Sequence, residues 1–121
     1  MHNKILIIDD ERRIVEILEK FLIYEKFEVS KAYDGREGLD LLKRDAPDLI
    51  ILDEKMPGMG GANFIKEMKK VRKSIPVIVL TGSINLSQFE QAKKPKYKHL
   101  LYKPVRLVEL LKVINEVLKR G

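Results

Sequence analysis

The sequence predicts a doubly wound α/β domain, a five-stranded parallel sheet with five helices. Three observations carry this. First, Leu49-Ile50-Ile51-Leu52 is an unbroken apolar run that ends in Asp53 and meets a Met56-Pro57-Gly58 turn, the pattern of a strand buried on both faces. Second, the runs Lys4 to Asp10 and Pro76 to Leu80 repeat that form, the first ending in carboxylates and the second at Thr81. Third, the segments between them carry apolar residues at helical spacing, and alternating strands and helices imply parallel pairing through right-handed crossovers.

In chain order, Lys4 to Asp10 is the first buried strand. Ile14, Ile17, Leu18, Phe21 and Leu22 then fall at i, i+3, i+4, i+7 and i+8, an amphipathic helix. Phe27 to Ser30 alternates and fits a shorter strand nearer the sheet edge. Asp34-Gly35-Arg36-Glu37 has the form of a helix N-cap with its glutamate three residues on, and Pro47 follows that helix's end. After the central strand, Gly58 to Gly61 reads as a loop and Phe64, Ile65, Met68 and Val71 as a third helix. Pro76 fits as the first residue of the fourth strand, where a missing N–H is tolerated. Ser87-Gln88-Phe89-Glu90 has capping-box form, and Pro95 would end that fourth helix early. His99 to Tyr102 is a short fifth strand, and Arg106 to Lys119 the last helix. No linker or repeat interrupts the pattern, so residues 1–121 are expected to form one domain.

Composition excludes several classes. There is no cysteine, hence no disulfide or thiolate metal site. No apolar run approaches the roughly 20 residues of a membrane span. Met1-His2-Asn3-Lys4 passes directly into a strand, which leaves no room for a signal peptide, so a cytoplasmic protein is expected. The net charge of +6 is concentrated: residues 91–121 hold 9 Lys and Arg against 2 Asp and Glu. That excess suits either solvated helix faces or a face for an acidic partner. The lysines Lys93, Lys94, Lys96 and Lys98 hold a single aromatic, Tyr97, which is not the aromatic interleaving of a nucleic-acid binding platform, so no direct nucleic-acid binding is expected. His2 and His99 have no metal-ligand spacing, and Met56 and Met59 read as loop packing.

The chemistry gathers at the strand ends. The first strand ends at Asp9-Asp10, the third at Asp53, the fourth at Thr81 and the fifth at Lys103, and a doubly wound sheet brings such ends together along one edge. Taken singly, Asp9-Asp10 fits a solvated strand end or helix cap as well as a metal site, and Asp53 alone is similarly open. Taken together, converging carboxylates repel unless a cation intervenes. Mg²⁺ accepts carboxylate, water and phosphate oxygens. With Lys103 as a second positive charge and Thr81 as a hydroxyl donor, the set fits phosphoryl transfer to an aspartate nucleophile.

These motifs resemble the response-regulator receiver domain: Asp9-Asp10, Asp53-Glu54-Lys55-Met56-Pro57-Gly58, Leu80-Thr81-Gly82 and Lys103-Pro104, in order over the whole chain. The resemblance implies a flavodoxin-like strand order 2-1-3-4-5. It implies that Asp53 accepts a phosphoryl group from a sensor histidine kinase or phosphotransfer protein, and that Asp10 binds Mg²⁺ with help from Asp9, Asp53 and the main-chain carbonyl of Lys55. Lys103 would pair with the phosphoryl group, Thr81 would move to hydrogen-bond it, and the Lys103-Pro104 bond would be cis. Such a domain phosphorylates and dephosphorylates itself, acting as a signalling switch rather than a metabolic enzyme. Its output surface (fourth helix, fifth strand, fifth helix) serves an output domain or a downstream partner, and a phosphorylation-dependent dimer is compatible with it. The alternative is a degenerate receiver that binds partners without phosphorylation. A phosphohydrolase would want a D-x-D nucleophile motif and a cap, and neither is present.

Three departures from the family pattern carry expectations of their own. Leu100 stands three positions before Lys103, where relatives have a switch aromatic, and Tyr102 is adjacent to Lys103 instead. Tyr102 is not expected to substitute, and output is expected to run mainly through the fourth helix. Residues 92–98 predict a short fourth helix followed by a mobile basic loop, a plastic partner surface. Gly60 replaces a common aspartate, which should loosen the start of the third helix. Lys55 and Ser83 lie two past Asp53 and Thr81, flanking the water path of relatives.

Overall fold

A computed structural model describes residues 3–72, 74–82 and 97–119. Five strands form one parallel sheet: β1 (Lys4–Ile8), β2 (Glu28–Ala32), β3 (Leu49–Asp53), β4 (Val77–Thr81) and β5 (His99–Tyr102). Their spatial order is β2-β1-β3-β4-β5, as the resemblance implies. The described helices are α1 (Arg12–Tyr24), α2 (Gly35–Arg44), α3 (Gly61–Val71) and α4 (Leu107–Leu118). The helix predicted near Ser87, the early stop at Pro95 and most of the basic loop lie outside the described residues, as does His2.

The apolar runs become strands because two hydrophobic layers cover both sheet faces. Ile5, Ile7, Leu49, Ile51, Ile78 and Leu80 pack toward Val15, Leu18 and Leu22 of α1 and Leu110 and Ile114 of α4. Leu6, Ile8, Ile50, Leu52 and Val79 pack toward Leu42 of α2 and Phe64 and Met68 of α3. β3 is central and every residue of it is buried, which explains why its sequence shows no polar alternation. β2 and β5 are the edges. Their exposed or half-exposed positions account for the weaker signal each leaves in the sequence.

Local signals are largely obeyed. Asp34 caps α2 by accepting the Glu37 backbone N–H at 2.8 Å. Glu37 reaches back to the Tyr33 N–H at 3.1 Å, one residue further than in a standard capping box. Asp34→Ala is expected to cost about 1 kcal/mol, measured as a lowered urea midpoint with unchanged m-value. Gly60 caps α3 without a side-chain bond, as expected for the missing aspartate. The helix start is nonetheless tied down by the Gly61 N–H, which donates to the Glu54 carbonyl at 2.8 Å. Pro76 precedes β4 rather than opening it. Lacking an N–H, it contributes to the ladder only as an acceptor, taking the Ile50 N–H at 3.0 Å. The last helix is shorter by a residue at each end, with Arg106 as N-cap and Lys119 closing it in the left-handed region at φ 56°.

Gly38 is required by contact rather than by backbone freedom. A Cβ there would stand 2.5 Å from Ile8 Cδ1 and 3.2 Å from Phe64 Cε2, so the close approach of α2 to β1 and α3 depends on its absence. That packing holds the carboxyl end of β1, from which Asp9 and Asp10 emerge.

Candidate functional site

The sheet register builds the site. Ile8 pairs with Leu52 and Asp53 with Leu80, so the chain leaves β1 and β3 at adjacent points on one edge. The ladders continue beyond the strands: Asp9 N–H donates to Ala32 O at 3.1 Å, Glu54 N–H to Leu80 O at 2.8 Å and Lys103 N–H to Thr81 O at 2.8 Å. Backbone bonds therefore fix Asp9, Glu54 and Lys103 before any side chain acts. Lys103 is followed by a cis bond to Pro104, as the motif implied.

Asp9, Asp10 and Asp53 converge, each offering a carboxylate oxygen within 4.8 Å of the others. Asp9 and Asp53 are buried and Asp10 is exposed. Lys103 Nζ enters from the side, 3.2 Å from Asp9 Oδ2, 3.3 Å from Asp53 Oδ1 and 3.0 Å from Glu11 Oε1. The Glu11 N–H adds a bond to Asp9 Oδ1 at 2.9 Å.

One ammonium does not balance this cluster. Burial pushes the Asp53 carboxyl up to about 6, the neighbouring Asp9 charge adds to the rise, and Lys103 opposes it. Burial likewise raises Asp9, against the Glu11 N–H and Lys103. For Lys103, burial works against the charge, but the bond to Glu11 and the charges of Asp9 and Asp53 outweigh it and the ammonium is held above its usual range. A set of hard oxygen donors with residual negative charge, one member open to solvent, fits Mg²⁺, which binds through a few carboxylates and keeps several waters.

Thr81 is buried, and its hydroxyl proton is committed to a residue outside this cluster. The hydroxyl donates to Glu54 Oε1 at 2.8 Å, on the α3 side of the sheet. Lys55 follows in the β3–α3 connection with an exposed side chain. The motifs do not announce the roles of three residues: Glu11, which shares Lys103; Glu54, which holds Thr81; and Tyr97, whose hydroxyl lies near Glu54 across Gly61. Burial, with Glu54 adding to it, pushes the Tyr97 phenol up to about 12. Its one sequence signal is a lone aromatic among lysines, just before a strand. Leu100, at the position of the usual switch aromatic, packs in the same hydrophobic layer as Tyr97, while Leu101 turns to the opposite face. His99 and Tyr102 are half-buried, Met56 is buried, and Met59 packs beside Gly35.

Parallel order, carboxylates at the switch-point edge and a lysine after the last strand are the arrangement that the resemblance to a two-component receiver domain implies. Residues 5–115 match the response regulator receiver domain model, and the chain belongs to that family. It is 33% identical over 120 residues to the response regulator MprA of Mycolicibacterium vanbaalenii, covering 99% of this chain and 52% of that protein. The chain thus spans about half the length of the curated relatives it matches. Among solved structures, a CheY-like receiver domain from Methanospirillum hungatei superposes with a TM-score of 0.86 at 28% identity, covering 98% of this chain and 95% of that one. A receiver domain from Clostridium thermocellum gives 0.84 at 34% identity, covering 97% and 94%. Among the described residues no helix is long and apolar enough to cross a membrane.

Proposed function

We propose that this receiver domain accepts a phosphoryl group on Asp53 in a Mg²⁺-dependent reaction and thereby switches its output surface. The observation that carries the reading is the placement of Asp53: 4% exposed, clustered with Asp9 and Asp10, and 3.3 Å from the Lys103 ammonium. A solvated strand end has no use for such a cluster, whereas an acceptor needs one.

An Asp53 oxygen attacks phosphorus in line, the phosphorus–nitrogen bond of a phosphohistidine breaks, and the imidazole leaves. Asp10, Asp53, the main-chain carbonyl of Lys55 and, by support, Asp9 would hold Mg²⁺, which when bound balances charge on the phosphoryl oxygens. Lys103 neutralises a further phosphoryl oxygen, and Thr81 donates its hydroxyl to another once it leaves Glu54. The partners are a sensor histidine kinase or phosphotransfer protein and an output domain or downstream protein, in the cytoplasm. Intact Asp10, Asp53, Thr81 and Lys103 weigh against a receiver that works without phosphorylation.

Acetyl phosphate labelling, read on a phosphate-affinity gel, tests this. A shifted band is expected with Mg²⁺, lost in EDTA and in Asp53→Asn. A band that persists in Asp53→Asn, or none from wild type with Mg²⁺ bound, would sink the proposal.

A further inference from the structure

Thr81 Oγ1 donates to Glu54 Oε1 at 2.8 Å, and the Tyr97 hydroxyl lies near the same residue across Gly61, where burial, helped by the Glu54 charge, keeps the phenol protonated. Alternation along β3 and β4 puts Glu54 and Thr81 on the face of Leu52 and Val79, and the Tyr97 ring is buried in that same layer, 7% exposed. Gly61 makes room for the arrangement: a Cβ there would lie 3.2 Å from Glu54 Cα and 3.6 Å from the Tyr97 hydroxyl. Two hydroxyls from separate parts of the chain thus converge on one carboxylate beside the acceptor.

A threonine hydroxyl has one proton to donate. While Thr81 gives it to Glu54, it cannot give it to a phosphoryl oxygen on Asp53. We propose that Glu54 is a positioning residue that competes with the phosphoryl group for the Thr81 proton, and that Tyr97 reads the outcome through Glu54. This rests on the acceptor reading of Asp53. When Thr81 turns toward the phosphoryl group, Glu54 loses the Thr81 donor and its carboxylate is free to readjust against Tyr97. Tyr97 lies two residues before β5, so the response reaches the start of that strand without an aromatic at position 100.

The test uses the whole chain labelled with ring-¹³C tyrosine, titrated with Mg²⁺ and beryllofluoride. Bound beryllofluoride is read by its own ¹⁹F signal. The four tyrosine signals are assigned with the help of Tyr97→Phe. In wild type the Tyr97 ring signal is expected to shift as beryllofluoride saturates. In Glu54→Ala the fluorine signal persists and the Tyr97 shift is lost. Glu54→Gln keeps an acceptor oxygen and retains the shift. Thr81→Val cuts the other end of the relay and also loses the shift at matched saturation. A wild-type-sized Tyr97 shift in Glu54→Ala or in Thr81→Val, or a Tyr97 signal that never moves in wild type, would overturn the relay. Absence of any bound fluorine signal in wild type would instead remove the acceptor reading, and the relay with it.

Discussion

Lys103→Met is expected to lower the melting temperature of the protein in EDTA by about 10 °C and to make it respond more strongly to Mg²⁺ than wild type. Lys103 Nζ is shared by two buried carboxylates, Asp9 at 3.2 Å and Asp53 at 3.3 Å. Its third contact, Glu11, leads the contributions that keep the ammonium charged, but it is more than half exposed, so water screens its share of the stability. Removing one partner of a buried ion pair typically costs about 3–5 kcal/mol, because the remaining charge is left uncompensated. Here protonation limits the loss, since burial already raises both carboxyls.

The sign of the pH dependence follows. With folded-state values above the unfolded ones, the native state holds more protons, so these groups' contribution is present at low pH and lost as pH rises through the folded values. For Asp53 that window runs from the ordinary 3.8 to about 6. Without Lys103 it extends higher. The deficit of Lys103→Met in EDTA should therefore shrink between pH 7.5 and pH 5. Mg²⁺ at pH 7.5 should recover most of it, because a cation between the carboxylates performs the same neutralisation. Calorimetric scans of both proteins with and without Mg²⁺ decide this. Equal Mg²⁺ increments in the two would mean that the ammonium and the cation do not share these carboxylates.

Phe64→Ala is expected to cost about 4 kcal/mol and to lower the melting temperature by about 15 °C. Phe64 is fully buried, one of the largest such side chains, and packs among Ile8, Leu42, Leu52 and Met68. Its ring packs against the backbone of Gly38, where an added Cβ would stand 3.2 Å from Phe64 Cε2, so the ring helps to set the spacing of α2 and α3. Ile8 precedes Asp9 and Leu52 precedes Asp53, so the cavity left by the substitution underlies two acidic positions. Chemical denaturation measures the loss directly. A cost below about 1.5 kcal/mol would show that α2 and α3 close onto the sheet when the ring is gone.

Much of the fold was legible because its signals are local. Unbroken apolar runs mark strands covered on both faces, and the switch to helical spacing after each marks the crossover. Asp34 and Glu37 announced the start of α2. The site was half legible for the same reason. Asp9, Asp10, Asp53, Thr81 and Lys103 end strands, and parallel order alone sends strand ends to one edge. The sequence position of Pro76 fits the first strand residue and the one before it equally, and only the ladder separates the two.

What the sequence by itself determined is the sheet, its order through the family pattern, and which residues reach the functional edge. What only the tertiary structure decided is how those residues choose partners there. Lys103 contacts Asp9 and Glu11 across more than 90 positions, and Thr81 turns to Glu54 across 27. Tyr97 stands among lysines in the sequence, yet its ring is buried and its hydroxyl meets Glu54. The physical reason is that periodicity records which face a residue occupies. Pairing between side chains on that face depends on distances set by sheet register, and no local pattern carries those.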